Sequence, residues 1–410
     1  MSADGGKYTL QKGTLSLCKT IQWKSVILLV KSKTVHTFCI FQSVIINLLS
    51  QMKNFRIPRI RFVLPALFAC AAVLLPGCRT QDGLKDESSR TYQNPVYAGD
   101  MPDPSVRKFG EFYYAFGTTG KGRLADGRIF TLLRSRNLVD WESLGGALVP
   151  PSENRNYAYW APEITEDHGK YYLYYSMGGI EPERFVLRVA ASAQPEGPYL
   201  DQGVVLQDGK TNRFTIDPFP FRDDDGQWYL FYACNFPYES GGFHAGTGIV
   251  VDRLIDMTHL AGNPQVVVRA ANDWTLYESN RVMEVYGQTF NWHTIEGPCV
   301  LKHEGKYFCL YSGANYQTPR YGVDWVVGDS PLGPYRNAGD HARVLHQIAG
   351  TVRGPGHNSV VTGPDGKSQY MIYHAWNPEM TQRQLCVDKL EWTPQGPHCT
   401  PTATPQPMPR

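Results

Sequence analysis

Acidic residues are nearly missing from the start of this chain: residues 1–77 hold ten Lys and Arg and a single acid, Asp4. The rest is short of basic residues instead, with 30 of them against 37 acids, a net charge of −7. A body of that sign lacks the basic footprint that phosphate-backbone binding needs, so nucleic acid is excluded as a partner. Long apolar runs are scarce as well. Phe38–Leu49 is short for a membrane span and is broken by Gln42, Ser43 and Asn47. Cysteine is thinly used in the body. Of nine, Cys18, Cys39, Cys70 and Cys78 fall in or at the end of the leader. The other five, Cys234, Cys299, Cys309, Cys386 and Cys399, show no metal-finger spacing. They read as small buried hydrophobes with or without one disulfide, and an odd number cannot all pair within one chain.

The leader itself divides. Residues 1–51 are Lys-rich and patchily apolar, and are expected to precede the true start of the protein. Met52 then opens an export signal, with Lys53, Arg56, Arg59 and Arg61 as its positive segment and Phe62–Pro76 as its apolar one. Leu75-Pro-Gly-Cys78 is similar to the lipobox of bacterial lipoproteins, which places a lipid on Cys78. The polar stretch to residue 92 suits a tether. The expected location is the bacterial cell envelope, with the membrane touched only through that lipid.

What the body has in abundance is Tyr, Gly and Pro, 24, 39 and 29 of them in the whole chain, as turn-dense all-β folds do. A turn glycine leading into an aromatic strand occurs five times, at Gly110, Gly169, Gly226, Gly305 and Gly366, spaced 59, 57, 79 and 61 residues apart. Before each stands a polar residue in a Pro- or Gly-rich context: Asp103, Glu163, Asp217, Glu296 and His357. The last three lie nine residues before their glycines, the first two seven and six. A second repeat, Pro195-Glu-Gly-Pro-Tyr199 and Pro331-Leu-Gly-Pro-Tyr335, follows the turn glycines at a matching distance. Units of about 60 residues hold four short strands each. Five of them in a row predict a five-bladed β-propeller over 93–395, whose blades cover one another's faces. The Pro-rich end, 396–410, is expected to fray.

In a propeller the innermost strands line a central channel, so residues at a fixed place on each converge. Carboxylates gathered there repel one another and are partly desolvated, which raises at least one pKa. One can then stay ionised to activate water while another keeps a proton for a leaving oxygen, as glycoside hydrolysis requires.

Asp103 in Met101-Pro-Asp-Pro104, Trp160-Ala-Pro-Glu163, Ile216-Asp-Pro218 and Ile295-Glu-Gly-Pro298 resemble, in order and spacing, the motifs of glycoside hydrolase family 43. The resemblance covers roughly 93–395. It implies an inverting hydrolase with Asp103 as general base, Glu296 as general acid, and Asp217 orienting Glu296 and raising its pKa. It implies an arabinose- or xylose-containing oligo- or polysaccharide as substrate. An exo-acting α-L-arabinofuranosidase is the first expectation, ahead of a β-xylosidase, an endo-arabinanase or a propeller that only binds carbohydrate. Trp160, Glu163 and Arg353 are candidates for sugar contacts, Trp160 as a stacking wall. No cofactor is needed for the chemistry. His357 matches a family position near the channel axis where a structural calcium ion with waters is often bound, and calcium's preference for oxygen suggests contact through water. The longest spacing holds an insertion, Asn272–His293, rich in aromatics (Trp274, Tyr277, Tyr286, Phe290, Trp292). It is expected to wall the channel mouth and favour exo action.

Overall fold

The computed structural model describes residues 90–152, 156–207 and 212–410. The upstream segment, the export signal and Cys78 lie outside the described residues. Among those described there is no α-helix, only short 3-10 turns, and no helix long and apolar enough to cross a membrane.

Four antiparallel sheets of four strands and a larger one of seven follow one another along the chain. Their innermost strands are Ser105–Phe109, Ala158–Asp167, Thr215–Arg222, Ile295–His303 and Arg353–Thr362. Each packs on the next, and the last packs on the first, so the sheets close into a β-propeller arrangement. Each first hairpin turns on one of the repeated glycines, with φ between +60° and +86°. At four of the five an added Cβ would meet nothing within 4 Å. The left-handed backbone, which costs other residues about 1–2 kcal/mol, is therefore what demands glycine, not space.

The aromatic strands that follow are buried between neighbouring sheets. Phe116, Phe130, Tyr159, Tyr175 and Tyr199 form the cluster between the first and second, with Phe130 and Tyr175 edge-on at 5.6 Å. Such pairs add about 0.5–1.5 kcal/mol beyond their burial. The second repeat is structural too. Tyr199 and Tyr335 donate to the carbonyls of Pro195 and Pro331, at 3.0 and 2.9 Å.

Every inner strand carries a local break that aims one residue inward. Asp103, Ala161, Asp217, Gly297 and His357 all have positive φ, between +43° and +59°. In the last four the pairing register slips at that point. A bulge of this kind re-aims a side chain and is common beside active sites. Four of the five breaks are followed by proline (Pro104, Pro162, Pro218, Pro298), which has no N–H to leave unpaired. The N–H at a break is taken by the sheet before it. Ala161 donates to Thr118 Oγ1 at 2.8 Å, Asp217 to Ser176 Oγ at 3.0 Å, and His357 to Ser312 Oγ at 2.8 Å. Asp103 donates to His374 Nδ1 at 3.1 Å, and that bond closes the ring from last sheet to first.

One expectation is corrected here. The chain end does not fray. Gly396–Cys399 is the outer strand of the last sheet, and Gln406–Pro407 pairs with Thr91–Tyr92. Thr402 is held by its N–H and hydroxyl on Asp388, at 3.0 and 2.6 Å. Prolines suit such an edge, where no ladder N–H is needed. The five body cysteines are all buried and free, so no disulfide forms among the described residues.

Candidate active site

The breaks empty into one cavity of about 510 Å³, lined by Asp103, Asp217, Glu296, His357, Trp160 and Arg383 among others. Its size suits a sugar-sized ligand. Five carboxyls line it, Asp100, Asp103, Glu183, Asp217 and Glu296, and of these Asp103, Asp217 and Glu296 crowd together at the inner strands.

Their environments differ. Burial is the largest single effect on Asp103 and would lift it, and the Arg383 guanidinium at 2.8 Å is the strongest of several groups that together more than offset it. His357 and His374, at 3.5 and 3.6 Å, act in the same direction. Asp103 is thus held far below the usual carboxylate range and is ionised at any working pH. Glu296 is pushed up to about 7, first by burial and further by the charge on Asp103. The Tyr321 hydroxyl, donating to Glu296 Oε1 at 2.7 Å, pulls against that rise. Asp217 is raised well above its ordinary value by burial and by repulsion from Glu296 and Asp103. Its Oδ2 accepts the Gly297 N–H at 3.0 Å, which ties it to the residue beside Glu296. Asp217 and Glu296 titrate as a pair, and their second proton leaves only near or above neutrality. An ionised carboxylate and a proton-bearing one therefore share this cavity, the division of labour that acid–base cleavage of an acetal needs.

His357 is buried, and burial lowers its pKa, so it is neutral here. Its Nδ1 lies 3.5 Å from Asp103 Oδ1 and 4.0 Å from Asp217 Oδ2. These atoms are no calcium cage, because one imidazole and two carboxylates already engaged elsewhere fall short of six to eight oxygens. A cation at His357 would draw most of its shell from water, and no catalytic step is routed through it. Trp160 lines the cavity and stacks on Phe185, with centroids 3.9 Å apart. Glu163 and Arg353 do not reach it. In the second sheet the break falls on Ala161, so Glu163, two residues on, turns between sheets, where Ser105 Oγ donates to it at 2.9 Å. Arg353 starts the last inner strand and bonds the Pro378 carbonyl at the surface.

Sequence reasoning missed Arg383, Tyr321, His374, Glu183 and Arg281. His374 had a signal, since Ser176 and Ser312 occupy the same second-strand place in other sheets, seven residues after their glycines against its eight. Arg281 lies inside the long insertion, whose two strands, Leu276–Met283 and Gln288–His293, form a hairpin over the cavity. Tyr277, Arg281 and Trp292 of that hairpin line the wall. Arg281 bonds Glu183 at 2.8 Å, joining hairpin to second sheet.

A family model described as glycosyl hydrolases family 43 matches residues 92–397. The chain belongs to that family. A solved family-43 structure, of a thermostable glycoside hydrolase, superposes with a TM-score of 0.66 at 30% identity, covering 78% of this chain and 99% of the other. A β-D-galactofuranosidase of Aspergillus niger is 29% identical over 74% of this chain and 83% of its own length. An extracellular exo-α-(1→5)-L-arabinofuranosidase of Streptomyces avermitilis is 25% identical over 81% of this chain and 67% of its own. As a member of family 43 the protein is a glycosidase that hydrolyses O-glycosyl bonds.

Proposed function

We propose that this family-43 enzyme is an exo-acting, inverting α-L-arabinofuranosidase acting on arabinan or arabinose-decorated xylan. In this reading Asp103 is the base that activates water, Glu296 protonates the leaving oxygen, and Asp217 orients Glu296 and shares its proton. The observation that carries it is the opposed electrostatics of Asp103 and Glu296 in one cavity. An inverting pair stands roughly 6.5–9.5 Å apart to leave room for the water between. Exo action is inferred from the hairpin wall and the Glu183–Arg281 bridge, which line the cavity where an open cleft would have to continue. The seven-stranded sheet is read as the third of five blades, two of its extra strands, Leu276–Met283 and Gln288–His293, coming from the insertion and the third being the short His259–Leu260. All three acids are present, which speaks against a propeller that only binds sugar.

The Aspergillus relative favours a second reading, a β-D-galactofuranoside as substrate. We place the protein outside the cytoplasm, anchored through Cys78, in keeping with the extracellular Streptomyces relative. A calcium ion at His357, if bound, would be structural.

The test is a panel of 4-nitrophenyl α-L-arabinofuranoside, β-D-galactofuranoside and β-D-xyloside, with linear arabinan. The arabinofuranoside should be cleaved fastest and arabinan should release monomer from the first minutes. Glu296→Ala should lose about 10²–10⁴ of the rate on natural oligosaccharides. Oligomers as first products, or xyloside as best substrate, would move the enzyme to the endo-arabinanase or β-xylosidase reading.

A further inference from the structure

Away from the cavity, three side chains converge that the hydrolysis does not use. His244, Asp273 and His293 bring ligand-type atoms within 4.8 Å of one another. His293 ends the inner hairpin strand, Asp273 opens the 3-10 turn Asp273–Thr275, and His244 precedes the strand Gly246–Asp256. Their backbones are pinned. His244 N–H donates to the Ala270 carbonyl at 2.8 Å, His293 N–H to Ala245 at 2.9 Å, and Thr294 N–H to Thr275 at 2.9 Å.

The tautomer of His293 follows from its neighbours. The Thr275 hydroxyl donates to the Asn272 carbonyl at 2.9 Å, so its oxygen can only accept from His293 Nδ1, also 2.9 Å away. The proton is fixed on Nδ1 and the lone pair on Nε2 is left without a partner, the arrangement that a hydrogen bond to the far ring nitrogen gives metal-binding histidines. The His244 ring stacks on it at 4.2 Å and 9°, with Nε2 3.8 Å from Asp273 Oδ1, beyond hydrogen-bonding distance.

We infer that His244, His293 and Asp273 form a binding site for a divalent transition metal of the zinc class, with water completing its shell. Two imidazoles and one carboxylate suit zinc, nickel or copper better than calcium or magnesium. Stacked rings hold their lone pairs side by side, so His244 turns about its Cβ–Cγ bond to meet the ion while His293 stays. Asp273, 95% exposed, is free to follow. Asp273 and His293 stand at the two ends of the segment that supplies Tyr277, Arg281 and Trp292 to the cavity wall. The ion adds a side-chain clip at the base of that hairpin, beside the backbone bond from Thr294 to Thr275.

The test uses the full chain without a polyhistidine tag, stripped with EDTA, desalted, and titrated with Co²⁺ under visible absorption, then with Zn²⁺ in competition. One equivalent of Co²⁺ should bind with the intense bands of a low-coordinate site, and Zn²⁺ should displace it. Asp273→Asn and His244→Ala should each weaken binding at least tenfold, with circular dichroism confirming the fold. Thr275→Val keeps all three ligands but frees the tautomer, and should weaken binding several-fold. His341→Ala, at an exposed His–Asp pair with no third ligand, should change nothing. A purely hexa-aqua cobalt spectrum, or uptake that Asp273→Asn and His244→Ala leave unchanged, would overturn the site.

Discussion

The Asp103 carboxyl sits where burial would ordinarily keep it protonated, and the Arg383 guanidinium leads the groups that together reverse that preference. Arg383→Met removes the strongest of them while leaving the volume nearly filled. Asp103 should then rise toward the usual carboxylate range, and the acidic limb of the kcat/KM profile against pH should move up with it. An unmoved limb would show that Asp103 is not the base. The opposite limb tests the acid. Tyr321 holds Glu296 below the value burial would impose, so Tyr321→Phe should shift the alkaline limb upward from about 7. A downward shift would assign that limb to another group. The acids were legible in the sequence because each is flanked by proline or glycine and recurs. Arg383 and Tyr321 were not, because they reach the cavity from strand ends and loops that carry no repeated motif.

At the scale of the strand, the position of the break decides which acid meets substrate. The proline-flanked breaks could be read from sequence, but their register could not. Ala161 holds the second sheet's inward place, and Glu163 overshoots it. Burial pushes Glu163 up to about 7, although Arg107 and the Ser105 hydroxyl pull it down. A carboxyl raised in the folded state stabilises that state fully below its unfolded value, and the contribution is lost as pH rises through about 7. Glu163→Gln should therefore flatten the fall in Tm between about pH 5 and 8 while leaving kcat/KM within a few-fold. A loss of activity without a change in that slope would instead place Glu163 in the site. The insertion announced itself by its length and aromatics, yet the Glu183–Arg281 bridge depends on a contact 98 residues apart. Arg281→Ala should open the wall, raise KM on short arabino-oligosaccharides and lengthen the products released from linear arabinan. Unchanged products would mean that the bridge does not set exo action.

The whole molecule turns a linear repeat into a ring, and only the ring brings Asp103 beside Arg383, 280 residues later. The repeat of turn glycines foretold the sheets and their order. The closure was hidden because it runs through unlike groups: His374 in the place other sheets fill with Ser or Thr, and a Pro-rich end that pairs with Thr91–Tyr92. The central claim is that this ring holds an ionised base and a protonated acid on opposite sides of a furanoside. Inversion at the anomeric carbon is its chemical signature. Proton NMR of the first minutes of 4-nitrophenyl α-L-arabinofuranoside hydrolysis measures it directly. The account predicts β-L-arabinofuranose as the first sugar to appear, with the α-anomer growing in only by mutarotation. First formation of the α-anomer would mean retention through a covalent intermediate, and would contradict the roles assigned to Asp103 and Glu296.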